Sequence, residues 1–264
     1  MTLLKRYLRD DRFSFLGWTL GVVAMVALVL ETQPTLGASP GWQEYMSGLP
    51  SWIEAMAGGS FNPGSLDGWL SLEWFSWMTL LIGTAGVLGG AGVLARDLES
   101  KSVEFLLAQP VRRWRVVAER YLGVALELFG LTLASAAAVE LGGRYWLNSP
   151  GSYAAYRIVA ANHYLLCLFL AAVATLASVL CGEQRRAVMT GLGVLFGGYI
   201  LDLVLRASGR PEWLRALGPF YYHDFGAVLR SGWVPWGHMG VLAAGTVAVL
   251  AAAAWVFERK DLKG

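Results

Sequence analysis

The chain has 264 residues, of which 56% are hydrophobic and only 15% charged, with 12 Trp and a mean hydropathy of +0.49. That balance excludes a water-exposed globule, because too few polar side chains are available to cover one, and much of the surface must face lipid. The formal net charge of +2 says little, since in a membrane protein the placement of the positive residues carries the information.

At the start, residues 2–12, TLLKRYLRDDR, mix apolar and basic side chains as an interfacial helix on the inner leaflet would; a plain topogenic tail reads the same way. Apolar runs long enough to cross hydrocarbon follow at about 13–30, 72–95, 116–141, 163–180, 188–205 and 239–257. They predict an all-α integral membrane fold of six transmembrane helices, forming a single transmembrane domain over 1–264. The first run leads into Glu31-Thr32-Gln33-Pro34 rather than a small-residue cleavage site, so it is expected to remain a span. The outer loop 31–71 places Pro34, Pro40, Pro50 and Pro63 between short apolar pieces and predicts a cap of short interfacial helices. The last outer loop, 206–238, holds Trp213, Trp233, Trp236 and the aromatic run from Pro219 to Phe225, a mixture that suits headgroup anchoring better than a ligand site.

Orientation follows from Lys and Arg. Fifteen of the 21 fall on one side: Lys5, Arg6, Arg9 and Arg12 before the first span, Arg96, Lys101, Arg112, Arg113, Arg115 and Arg120 between the second and third, Arg185 and Arg186, and Arg259, Lys260 and Lys263. The positive-inside rule therefore predicts that both termini are cytoplasmic. Lipid phosphate explains this basic face better than nucleic acid does.

Inside the spans, Glu127 is the most unusual group, because a charge at mid-bilayer costs at least about 2.5–3.5 kcal/mol and must face protein or water. It serves either a translocation path or a helix-to-helix hydrogen bond. Glu140 at the outer end of the same span, and the i, i+4 pair Asp202 and Arg206, are expected to snorkel or pair. Gly86, Gly89, Gly90 and Gly92 in the second span, with Gly191, Gly193, Gly197 and Gly198 in the fifth, make small-residue faces suited to close packing, a contact between copies of the chain included. His163, His223 and His238 lack ligand spacing, so no metal site is expected. Cys167 and Cys181 lie 14 positions apart on one helix, roughly 21 Å at 1.5 Å per residue, and cannot pair with each other.

The connection between the second and third spans, about 96–113, is too patterned for a plain loop. Val103, Leu106 and Leu107 form one apolar stripe, Asp97, Glu99, Lys101 and Glu104 a charged flank, and Pro110 closes the segment. By periodicity alone, the stripe fits the membrane or the protein's own helices as well as a partner groove. The order of Asp97, Glu104, Leu106, Leu107, Pro110, Val111 and Arg113 resembles the signature of ABC-2 type permeases, with Lys101-Ser102 where that family carries Gly-Thr. The resemblance extends through the basic N-terminal segment, the loop from Gly48 to Gly68, Pro219-Phe220 and the closing 257–262.

That resemblance implies a type V exporter-like permease in which residues 97–109 form a coupling helix seated in an ABC ATPase subunit. It also implies two ATPase copies and a second permease copy, a homodimer, with ATP and Mg bound by the partner. The chain has no G-x-x-x-x-G-K-[S/T] loop, so it is expected to bind no cofactor and catalyse nothing alone. The solute is expected to be amphipathic or hydrophobic, drug-like or lipid-like. Permeases of metalloenzyme maturation or ion extrusion systems, a non-ABC secondary transporter and a membrane scaffold are the alternatives.

Overall fold

The computed structural model describes residues 3–37, 39–48, 50–59, 61–62, 64–95, 99 and 112–260. Every regular element among them is helical. Helix α1 (Leu3–Asp10) precedes α2 (Arg12–Thr32), which ends in a π-helical turn, Gln33–Gly37. Short helices α3 (Pro40–Ser47) and α4 (Ser51–Met56) cap the outer side, and Ser39 accepts a hydrogen bond from the Trp42 amide to start α3. Helix α5 (Leu66–Leu70) then runs through a π turn, Ser71–Phe75, into α6 (Ser76–Gly92). After the connection come α7 (Arg113–Leu141), α8 (Tyr153–Cys181), α9 (Gln184–Ala207), the outer helices α10 (Glu212–Arg215) and α11 (Phe225–Ser231), and α12 (Trp236–Arg259).

Six of these helical stretches are long and apolar enough to cross a bilayer: Arg12–Gly37, Leu66–Gly92, Arg113–Trp146, Tyr153–Cys181, Gln184–Ala207 and Trp236–Arg259. Several exceed their apolar runs because polar residues at the ends stay helical. In α8 the turns before residue 163 carry Arg157, exposed, and Asn162, held by a loop histidine. Both described ends of the chain lie on one side, called here the terminal face.

Helix α8 is the hub, packing against α6, α7, α9 and α12, while α2 lies on α7. Tyr121 Oη donates to Leu168 O at 2.7 Å and Tyr164 Oη to Ala125 O at 3.1 Å, stitching α7 to α8 within the apolar layer. The α6–α8 contact depends on glycine. A Cβ at Gly90 would stand 2.3 Å from Ala171 O, so only a hydrogen lets the two backbones approach; at Gly86 the nearest atoms are Leu128 methyls at 3.3 Å and Cys167 O at 3.4 Å. Gly191 of α9 admits Val87 and Gly198 admits Phe220. A Cβ at Gly193 or Gly197 would meet no heavy atom within 4 Å, and α9 is the least buried span, with 11% of its apolar window covered against 61% for Leu66–Gly92.

The last outer loop is not uniformly exposed. Phe220 and Phe225 are buried in the core, whereas Trp213, Trp233 and Trp236 stay exposed and Tyr221, Tyr222 and Trp233 close around His238.

Replacing Gly90 with Ala is expected to force α6 and α8 apart and cost about 1–3 kcal/mol. Gly193→Ala should change stability by less than about 0.5 kcal/mol. Thermal unfolding of the detergent-solubilised protein, followed by loss of the monodisperse species, separates the two.

Candidate functional site

Three helices, α6, α8 and α12, end at the terminal face, and each leaves carbonyls without an intrahelical donor. Basic side chains from neighbouring elements meet all three ends. Arg120 of α7 donates to Val93 O at 2.9 Å; Lys260 Nζ donates to Val179 O at 2.5 Å and Leu180 O at 3.4 Å; Arg113 Nη1 donates to Lys260 O at 2.8 Å and Phe257 O at 3.3 Å. A cation at a helix C-terminus is favourable both as a hydrogen-bond donor and against the negative end of the helix dipole. Ser178, fully buried in α8, adds the opposite polarity: its Oγ accepts from the Leu94 and Ala95 amides at 3.2 and 2.8 Å. The segment of chain leaving α6 is therefore gripped by α7 and α8 just before residue 96.

Of the predicted coupling residues, Asp97, Glu104, Leu106, Leu107 and Pro110 lie outside the described residues. Arg113 is described, with its guanidinium turned to the end of α12 and 5.9 Å from the Phe257 ring centroid. Glu99 accepts a hydrogen bond from the Gln184 amide at 2.6 Å, tying the connection to the start of α9.

Glu127 meets α1. Tyr7 Oη donates to Glu127 Oε2 at 3.1 Å, and the Tyr7 ring covers Gly123 so closely that a Cβ there would stand 2.4 Å from Cδ1. Glu127 also lines a cavity of about 160 Å3 with Asp11, Ser14, Trp18, Gly89 and Gln184, near the terminal face. The carboxylate thus docks the first helix onto the third span, a contact that spacing alone does not reveal.

On the opposite face the structure assembles groups that are remote in sequence. Asp67 accepts from the Ser152 amide at 2.9 Å, from Ser152 Oγ at 2.7 Å and from Tyr156 Oη, fastening the outer cap to the start of α8. Asp202 pairs with Arg206 at 3.0 Å, as its spacing predicts, and also with Arg215 at 3.1 Å. His163 and His223, which lack ligand spacing in the sequence, lie with ring centroids 5.3 Å apart and planes tilted at 49°, and His163 Nε2 lies 3.3 Å from Cys167 Sγ. His223 Nδ1 donates to Asn162 Oδ1 at 3.0 Å, since that oxygen only accepts. Among the described residues, no group of three or more His, Cys, Asp and Glu is arranged to hold a metal ion, and both cysteines are free.

Burial pushes the His223 pKa down to about 4; Asp224 opposes the shift and Arg206 adds to it. Folding therefore favours neutral His223, and the protein loses stability as pH falls from the ordinary value of 6.5 toward 4. At pH 5 the loss is about 2 kcal/mol, equivalent to about 4 °C in the thermal midpoint. Comparing midpoints at pH 7.5 and 5 should show that drop for the wild type and a shallower one for His223→Gln.

Two apolar clefts open on the lipid-facing flanks. One, of about 850 Å3, runs between α2, α6 and α9 and is lined by Trp18, Met25, Trp77, Leu81 and Phe196 among others. The other, of about 400 Å3, lies between α7, α8 and α12.

Six apolar helices, a glycine-dependent hub and clefts between spans define a multi-pass membrane protein rather than a soluble catalyst. The family model described as ABC-2 family transporter protein matches residues 10–262, and the chain belongs to that family. Its members form the membrane part of transporters that work with an ABC ATPase partner. No curated protein matches the chain.

Proposed function

We propose that this chain is the permease subunit of an ABC exporter that moves an amphipathic or hydrophobic solute, drug-like or lipid-like, across the cytoplasmic membrane of a prokaryote. The terminal face is cytoplasmic, in keeping with its excess of Lys and Arg. ATP and Mg are bound by a separate ATPase subunit, two copies of which serve two permease copies paired as a homodimer.

The observation that carries this reading is the 850 Å3 cleft beside the lightly covered α9. Its walls are mostly apolar, so it suits a hydrophobic body and offers a polar solute few groups to replace its water. Phe196, Ile200, Leu201 and Val204, exposed along α9 beside the open Gly193 and Gly197, supply the face that a second copy would cover. Two copies meeting there would turn two lateral clefts into one shared space.

Residues 97–109 are the coupling helix in this reading. Asp97, Glu104, Leu106, Leu107 and Pro110 meet the ATPase, and Arg113 fixes the far end of the segment to α12. A rigid-body movement of the ATPase pair would reach the spans through both roots: Leu94 and Ala95 on Ser178, and Arg113 on α12.

Tagged protein extracted gently from its native membrane should bring a nucleotide-hydrolysing subunit with it, and Leu106→Asp and Leu107→Asp should each lose that subunit while keeping the permease folded. Recovery of wild type with no ATPase would overturn the exporter reading in favour of a secondary transporter or scaffold.

Glu127→Gln retains an acceptor for Tyr7 while removing a charge. If Glu127 lies on the solute path, the ATPase rate of the recovered complex changes several-fold at unchanged thermal stability. An unchanged rate removes Glu127 from the path.

A further inference from the structure

The 400 Å3 cleft between α7, α8 and α12 plays no part in the proposed transport path, and it is built differently from the larger one. Its floor is aromatic: Phe129 and Tyr164 pack edge to face with centroids 5.8 Å apart, and the Tyr164 hydroxyl is turned away to Ala125 O, so only ring carbon faces the cleft. Leu133 and Leu165 continue the walls, and Met239 of α12 stands at the rim. From Arg157 down to Leu165 the cleft follows eight residue steps of α8, about 12 Å at 1.5 Å per residue. It therefore lies within the leaflet on the face opposite the termini.

A charged mouth distinguishes it from a plain lipid-facing groove. At the mouth, Glu140 is shared by two guanidiniums: Arg144 at 3.1 Å, and Arg157 through Nε at 2.8 Å and through Nη2. One carboxylate between two arginines leaves a net charge of +1, and Arg157 remains exposed at the rim of the cleft.

We infer that this cleft is a binding site for an anionic glycerophospholipid of the opposite-face leaflet. One acyl chain lies on Phe129, Leu133, Tyr164 and Leu165, and the phosphate meets the Arg144–Arg157 pair. The net charge at the mouth selects an anionic headgroup over a zwitterionic one of the same chain length. A guanidinium already forked onto a carboxylate is held in place, so little side-chain entropy is lost when phosphate joins it. The site stands apart from the α2–α6–α9 cleft and does not depend on what that cleft transports.

The test is lipid retention by the full-length protein after detergent exchange in the presence of phosphatidylglycerol or phosphatidylcholine of matched chains, read by native mass spectrometry. Wild type is expected to retain phosphatidylglycerol about fivefold better than phosphatidylcholine, the equivalent of about 1 kcal/mol for one surface cation. Arg157→Gln should abolish that preference. Ala161→Trp, at an exposed position on the cleft wall, should block retention of both lipids while leaving the charged mouth intact, and it decides the matter if loss of the Glu140 pair prevents folding. Arg210→Gln, on the same face but outside the cleft, should change nothing. Equal retention of the two lipids by wild type, or undiminished phosphatidylglycerol retention in Ala161→Trp, overturns the inference.

Discussion

The root of the connection between α6 and α7 depends on one steric fact, that the backbones of α6 and α8 touch. Gly90 against the Ala171 carbonyl sets their separation, and that closeness is what brings Ser178 within reach of the Leu94 and Ala95 amides. In hydrocarbon, apolar surface gains nothing by leaving lipid, so helices associate through dispersion at close range and through hydrogen bonds between spans. Here both occur on one seam, and the seam ends at the root of the connection to α7. The second and fourth spans and the start of that connection are therefore fastened to one another.

The basic residues have a second role besides orientation. Arg113, Arg120 and Lys260 sit on the open carbonyl ends of α12, α6 and α8, where their charge also offsets the helix dipoles. The same side chains that a topological rule counts as positive charge thus lace the helix ends to one another. On the opposite face carboxylates organise the structure instead: Asp67 receives the start of α8, Asp202 gathers Arg206 and Arg215, and Glu140 gathers Arg144 and Arg157.

The six spans were legible because a run of apolar residues near 20 has few other physical uses, and the family resemblance rested on residues whose order is distinctive. Gly86 and Gly90 announced a packing face by their spacing of four, and α8 occupies it. The same spacing in α9 did not reveal which glycines pack: Gly191 and Gly198 receive side chains, whereas Gly193 and Gly197 face open space. Local pattern sees pairs on one helix, such as Asp202 with Arg206. It is blind to partners brought by the fold, which is why Tyr7 on Glu127, across 120 positions, and the adjacent His163 and His223 rings escaped it. Arg113 belongs to the motif that marks the family, yet its direction toward α12 is a property of the helix it begins, not of its neighbours in sequence.

The claim that matters most is that Ser178 fastens the chain leaving α6 to the hub helix. Amide hydrogen exchange over residues 93–95, compared between wild type and Ser178→Ala in the same detergent, tests it directly. Slow exchange is expected in the wild type and a local acceleration of about tenfold in the variant, the equivalent of losing about 1.4 kcal/mol of hydrogen bonding, with the middle of α8 unchanged. Equal protection in both proteins would mean that Leu94 and Ala95 are held by something else, and the α6–α8 seam would no longer be the joint between the connection and the spans.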